Sequence, residues 1–210
     1  MNVFQFIVQN RGEVVGLTLE HLWMVAASTL LAVVIGLPLG VLITRWPRLN
    51  KPVLGSANII QTIPSLALFG FLLPVPWIGA RAERLAIVAL TLYALLPLIR
   101  NTYAGIKGVD ASVLEAGRAM GMTNRQLLFQ VELPLALGVI IAGVRVATVI
   151  SVGVATIAAA IGAGGLGEYI FRGIGMVNNQ LILAGAIPAA LLALLADVSL
   201  GWVEKRLSPS

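Results

Sequence analysis

Long apolar runs without a single charge constrain this chain more than anything else in it. Residues 22–44 carry no Asp, Glu, Lys or Arg, and neither do residues 53–80. A helix needs about 20 such residues to cross the hydrocarbon core of a bilayer. The run 85–99 is shorter, bracketed by Arg84 and Arg100. It reaches full length if Arg100 snorkels and the helix continues toward Gly105. The runs 133–161 and 181–203 are long enough, though they hold Arg145 and Asp197. Charged residues make up only 11% of the chain, against about 25% in an ordinary soluble domain. The expectation is a single all-α integral membrane domain over 1–210. Its five spans lie near 22–44, 53–80, 85–105, 133–161 and 181–203.

Composition removes several chemistries. With no cysteine there is no disulfide, thiolate metal site or Cys nucleophile. The one histidine, His21, rules out paired-histidine metal motifs and reads as a solvated interfacial residue with no assigned role. No metal site and no cofactor are expected. The N-terminus has no basic region before Arg11 and does not read as a cleaved signal peptide. The net charge of +5 is topological rather than a nucleic-acid footprint. With 100–134 inside, the inner side holds Arg45, Arg48, Lys51, Arg100, Lys107, Arg118, Arg125, Lys205 and Arg206. The outer side holds Arg11, Arg81, Arg84 and Arg172. That bias places the N-terminus outside and the C-terminus inside. Trp46 and Trp202 then fall at the inner interface, and Trp23 and Trp77 at the outer one.

The polar stretch between the third and fourth spans, 106–132, needs a partner outside the membrane. Ser112 and Glu115 fit a capping box, with Asp110 as a rival N-cap. Gly121 suits a left-handed helix end, and Thr123 with Gln126 fits a second capping box. The stretch reads as helix, tight turn, helix, stopping at Pro134. Capping and turning alone account for Glu115 and Gly121. Gly117 does not fit that account, because mid-helix glycine costs about 1 kcal/mol against alanine. It reads as a side-chain-free surface, beside Ala116, for another protein. Arg118 and Arg125 are placed to pair with acidic groups there.

This stretch resembles the cytoplasmic loop of permease subunits of bacterial binding-protein-dependent ABC importers. The family pattern is Glu-Ala-Ala, three residues, Gly, nine residues, Ile, one residue, Leu-Pro. Here it runs Glu115-Ala116-Gly117, Gly121, Val131, Leu133-Pro134, spacing intact, with Gly117 for Ala and Val131 for Ile. The resemblance extends to Ile60-Gln61-Thr62-Ile63-Pro64-Ser65 and to Tyr93-Ala94-Leu95-Leu96-Pro97. It also covers Ile161-Gly162-Ala163-Gly164-Gly165-Leu166-Gly167 and Ala184-Gly185-Ala186-Ile187-Pro188. These look like the osmoprotectant branch, which imports glycine betaine, carnitine, choline or related quaternary amines. Related permeases for other small solutes, amino acids among them, share much of the pattern.

The resemblance implies a type I importer permease fold in the bacterial inner membrane, with a coupling helix between spans 3 and 4. Asp110, Glu115, Ala116, Gly117, Arg118, Gly121 and Arg125 would meet a separate ATP-binding subunit. That subunit would bind ATP and magnesium, and the permease would be no enzyme itself. A periplasmic or lipid-anchored solute-binding protein and a second permease copy or paralogue complete the implied partners.

Other features have plainer readings. Gly162, Gly164, Gly165 and Gly167 match a dinucleotide-binding spacing. They follow a membrane span, however, and position 187 holds Ile where an acid is needed. They read as a structural turn at the outer face. Glu168 and Arg172 read as a local pair four residues apart. Arg145, about 16 Å of helix past Pro134, and Asp197, about 12 Å before Lys205, sit at similar depths. They form an intramembrane ion pair, or a gate contact that breaks. Pro38, Pro64, Pro97, Pro188 and small residues such as Gly143 fit ordinary packing or kinked, moving helices. Tyr93, Tyr103 and Tyr169 are too scattered to suggest an aromatic cage. A stand-alone secondary transporter is the alternative of another class. Asp197 is the only acid inside a span, so proton coupling has little to use.

Overall fold

A computed structural model describes residues 3–207, and every element in it is helical. After a short α1 (Val3–Gln9), α2 runs over Arg11–Arg45. It starts eleven residues before the expected span, because charges such as Arg11, Glu13 and Glu20 do not stop a helix outside the hydrocarbon. At 35 residues it is about 52 Å long and overhangs a 30 Å core. A 3₁₀ turn (Pro47–Leu49) leads to α3 (Asn50–Thr62) and α4 (Ser65–Leu72). Then come α5 (Ala82–Lys107), α6 (Ala111–Ala119) and α7 (Asn124–Gln126). A π-helical turn (Leu127–Glu132) continues α7 directly into α8 (Leu133–Ala158). A 3₁₀ turn closes α8, and α9 (Gly167–Gly175) and α10 (Asn179–Leu207) complete the chain.

Among the described residues, four helices are long and apolar enough to cross a bilayer: Arg11–Arg45, Ala82–Lys107, Asn124–Ile161 and Asn179–Leu207. The run 53–80, expected as one straight span, is instead a bent pair. Pro47–Thr62 and Ser65–Leu72 meet at 104°, and counting the pair as one span restores five. The break has a local cause. Pro64 disfavours helical geometry at the residue before it, and Ile63 is extended at φ −70°, ψ 127°. Pro38, Pro97 and Pro188 lie inside unbroken helices.

Two prolines are tied together across the core. Pro97 has no N–H, so the Tyr93 carbonyl one turn earlier loses its helical donor. Gln61 Nε2 donates to that carbonyl at 3.0 Å. In return the Tyr93 hydroxyl donates to the Ile63 carbonyl at the break. The broken helix and α5 thus satisfy each other's orphaned acceptors.

α5 is the central helix, packed between α2 and α8, with α10 on the far side of α8. Buried residues fill 61% of its apolar window, against 22% for α10. Small residues let the backbones approach. A Cβ on Gly40 would meet Thr102 Cβ at 2.5 Å, and one on Gly143 would meet Asn101 Cβ at 2.7 Å. The outward faces of α2 and α10 expose Leu30, Val34, Leu194, Leu195 and Val198, as lipid-facing helices do.

Candidate functional site

The helix pair at one end of the bundle is built by local capping. Asp110, not Ser112, is the N-cap of α6. Its carboxylate accepts from the Ser112 backbone N–H at 2.8 Å, which satisfies an amide the helix start leaves open. That bond holds the Asp110 carboxyl below its ordinary value. The expected Ser112–Glu115 box is displaced because α6 begins at Ala111, ahead of Ser112. Glu115 is exposed at mid-helix. Gly121 closes α6 at φ +80°, with the Met122 N–H on the Gly117 carbonyl at 3.1 Å. The second capping box is present, with Thr123 and Gln126 each satisfying the other's backbone.

Gly117 has a different role from the expected one. It is buried and faces its own chain. A Cβ there would lie 2.7 Å from Leu127 Cδ2 and 3.2 Å from Met122 Sδ. The missing side chain lets α6 fold back onto the π turn. The surface left for a partner carries Glu115, Ala116, Arg118 and Arg125, with Asp110 and Gly121 at its ends, all exposed. Val113, Met120 and Phe129 are exposed with them, at 41%, 76% and 66%. These apolar residues were legible only as exceptions within a polar stretch. The helix pair does not stop at Pro134. That proline follows the π turn inside one continuous helix, Asn124–Ile161, which passes straight through it.

On a partly exposed seam, Arg145 on α8 faces Asp197 on α10 with two bonds, Nε–Oδ1 at 2.6 Å and Nη2–Oδ2 at 3.2 Å. A third member escaped the sequence reading. Glu204 Oε2 accepts from Arg145 Nη1 at 3.1 Å. Asp197 and Glu204 lie seven apart, two turns on one helical face, so one guanidinium spans both. Gly201 lies between them and leaves a slot for the guanidinium, whose Nη1 would be 3.1 Å from a Cβ there.

At the opposite end, Gly162, Gly164 and Gly165 adopt φ of 77°, 85° and 80°. The Glu20 carboxylate accepts from the Gly165 N–H at 3.0 Å. A Cβ on Gly167 would lie 1.9 Å from the Thr156 carbonyl oxygen. No strand precedes this turn among the described residues, so a dinucleotide fold has no frame here. His21 is not solvated. It is fully buried beneath Gly165. Arg172 does not pair with Glu168. It reaches Glu13 on α2 at 2.7 Å and lies 5.7 Å over the Tyr169 ring. Burial pushes the Tyr169 phenol up to about 12. The three tyrosines fall in separate packing clusters. Beside the glycine turn, Glu20, Glu83, Glu168 and Trp23 line a recess of about 300 Å³.

Two long helices thus bracket a short, exposed, folded-back helix pair, and ion pairs tie helices within the bundle. Residues 24–209 match the family described as binding-protein-dependent transport system inner membrane component. The chain belongs to this family. It is 49% identical to the Bacillus subtilis glycine betaine/carnitine/choline transport system permease protein OpuCD, over 96% of this chain and 87% of the relative. It is 44% identical to the Salmonella typhimurium osmoprotectant import permease protein OsmW, over 100% and 98%. A chain of the MetNI methionine ABC transporter, in inward-facing conformations, superimposes with a TM-score of 0.85. That match covers 95% of this chain and 98% of that one, at 27% identity. The fold is accordingly that of type I ABC importer permeases, and the chain is an inner-membrane component.

Proposed function

We propose that the chain is the permease subunit of an ATP-driven importer for small osmoprotectants of the glycine betaine, carnitine and choline class. The observation that carries this reading is its likeness, nearly end to end, to permeases named for those solutes. ATP and magnesium belong to a separate cassette subunit. The exposed face of α6, with Glu115, Ala116, Arg118 and Met120, docks that cassette, and Arg125 at the start of α7 adds a cation. Lys and Arg bias supports placing this face and the C-terminus in the cytoplasm, with the N-terminus outside. A solute-binding protein docks on the side of the glycine turn and its acidic recess. Two permease copies, identical or paralogous, line one pathway.

The cycle needs no covalent chemistry in this chain. ATP and the loaded binding protein move the bundle between two states only through their different affinities for them. Cassette closure pushes α6, and the unbroken helix from Asn124 through α8 carries the push into the membrane. The Arg145 cluster locks α8 to α10 so that they move together.

The test is reconstitution with the cassette and binding protein in lipid. ATP hydrolysis is expected to rise with glycine betaine-loaded binding protein, with ATP-dependent uptake of labelled betaine. Glu115→Ala and Met120→Asp, both on the exposed face, are expected to lower that stimulation and weaken assembly. Uptake of methionine instead would move the chain to an amino-acid branch. Uptake independent of ATP would replace the importer with a secondary transporter.

A further inference from the structure

Glu132 is the last residue of the π turn and is 4% exposed. A carboxylate taken out of water needs a partner for both oxygens. Both go to one residue from a distant part of the chain. Arg45, the last residue of α2, donates Nη1 to Oε1 at 3.1 Å and Nη2 to Oε2. This fork-on-fork geometry is directional as well as strong. Around it, Leu128 and Leu133 pack with Leu37 and Val41 of α2.

The pair lies at the end of a short physical chain. α6 rests on the π turn, where Leu127 fills the space beneath Gly117. A π turn holds an extra residue and is frequent at functional sites. α6 holds one end, through Leu127 packed beneath Gly117. The Arg45 guanidinium grips the other from α2.

The geometry points to Arg45 and Glu132 as positioning residues for transport: their ion pair makes the inner end of α2 follow the cassette-docking helix. One tight turn joins α6 to the unbroken helix that begins at Asn124 and includes α8, whereas the inner end of α2 has no such link. The pair supplies it, so both spans rearrange as one when the cassette closes. This rests on the importer reading above.

The experiment uses the assembled complex with cassette and binding protein in lipid. It reads the ratio of ATP hydrolysis with loaded to unloaded binding protein, and betaine uptake per ATP. Arg45→Glu and Glu132→Arg singly are expected to lower uptake per ATP by about fivefold or more. Basal hydrolysis and cassette binding are expected to persist. The double exchange is expected to regain more than either single variant. Should the reversals fail to assemble, Glu132→Gln and Arg45→Lys keep the shape of the site. Each is then expected to lower uptake per ATP without a matching loss of melting temperature. Full coupling in the singles, or in Glu132→Gln and Arg45→Lys, overturns the inference. So does a double exchange no better than its parents, and either result leaves the importer reading intact if wild type is stimulated. An unstimulated wild type overturns both.

Discussion

At the scale of single residues, glycines do most of the specifying, and for different reasons. Gly167 is required because a Cβ would collide with the Thr156 backbone oxygen, which cannot move away. Gly117 sits against the flexible tip of Leu127, which can. Alanine at 117 would gain about 1 kcal/mol of helix propensity and ask only that the flexible ends of Leu127 and Met122 shift. Gly117→Ala is therefore expected to keep transport within about twofold of wild type. Gly117→Phe would prise α6 off the π turn and abolish cassette binding, which copurification checks. Equal loss in both would mean that the position touches the partner directly. The sequence marked Gly117 as anomalous but aimed it outward. Periodicity says that a helix has faces without saying which face meets its own chain. His21 differs from expectation for a similar reason: a lone histidine beside Glu20 looks interfacial, yet Gly165 closes over it.

At the scale of elements, the reciprocal bonds between the broken helix and α5 show how two prolines are tolerated in one core. Tyr93→Phe would leave the Ile63 carbonyl without its donor, and Gln61→Ala would do the same to the Tyr93 carbonyl. Each is expected to destabilise the permease by about 1–3 kcal/mol, the usual cost of an unsatisfied buried acceptor. Thermal unfolding of the purified complex measures this. If the two bonds act as one tie, the double variant costs less than the sum of the singles. Additive losses would show two independent bonds. The four long helices were readable from apolar length, because the bilayer demands it. The 104° bend was not, since hydropathy counts residues without regard to direction. Pro64 was visible, yet Pro38, Pro97 and Pro188 looked the same and did not break their helices.

At the scale of the whole molecule, charges pair across helices. Arg145 bridges α8 to Asp197 and Glu204 of α10, and Arg172 bridges α9 to Glu13 of α2. Arg145→Asp and Asp197→Arg singly are expected to lower the yield of folded complex, because each puts like charges together within the bundle. The double exchange is expected to recover part of it, since opposite charges again face each other across α8 and α10, although Glu204 loses its cation. Size-exclusion recovery in detergent reads the result, and a double exchange no better than its parents would mean that the contact is incidental. By itself the sequence determined the solvent, the helices and the family. Those follow from local quantities: apolar length, capping residues and a spaced motif. Only the tertiary structure decided which charges meet, which glycines face inward and how α2 is tied to the docking helix. Such pairings join residues as far apart as Arg45 and Glu132, and no local pattern encodes the distance between two helices once they are packed.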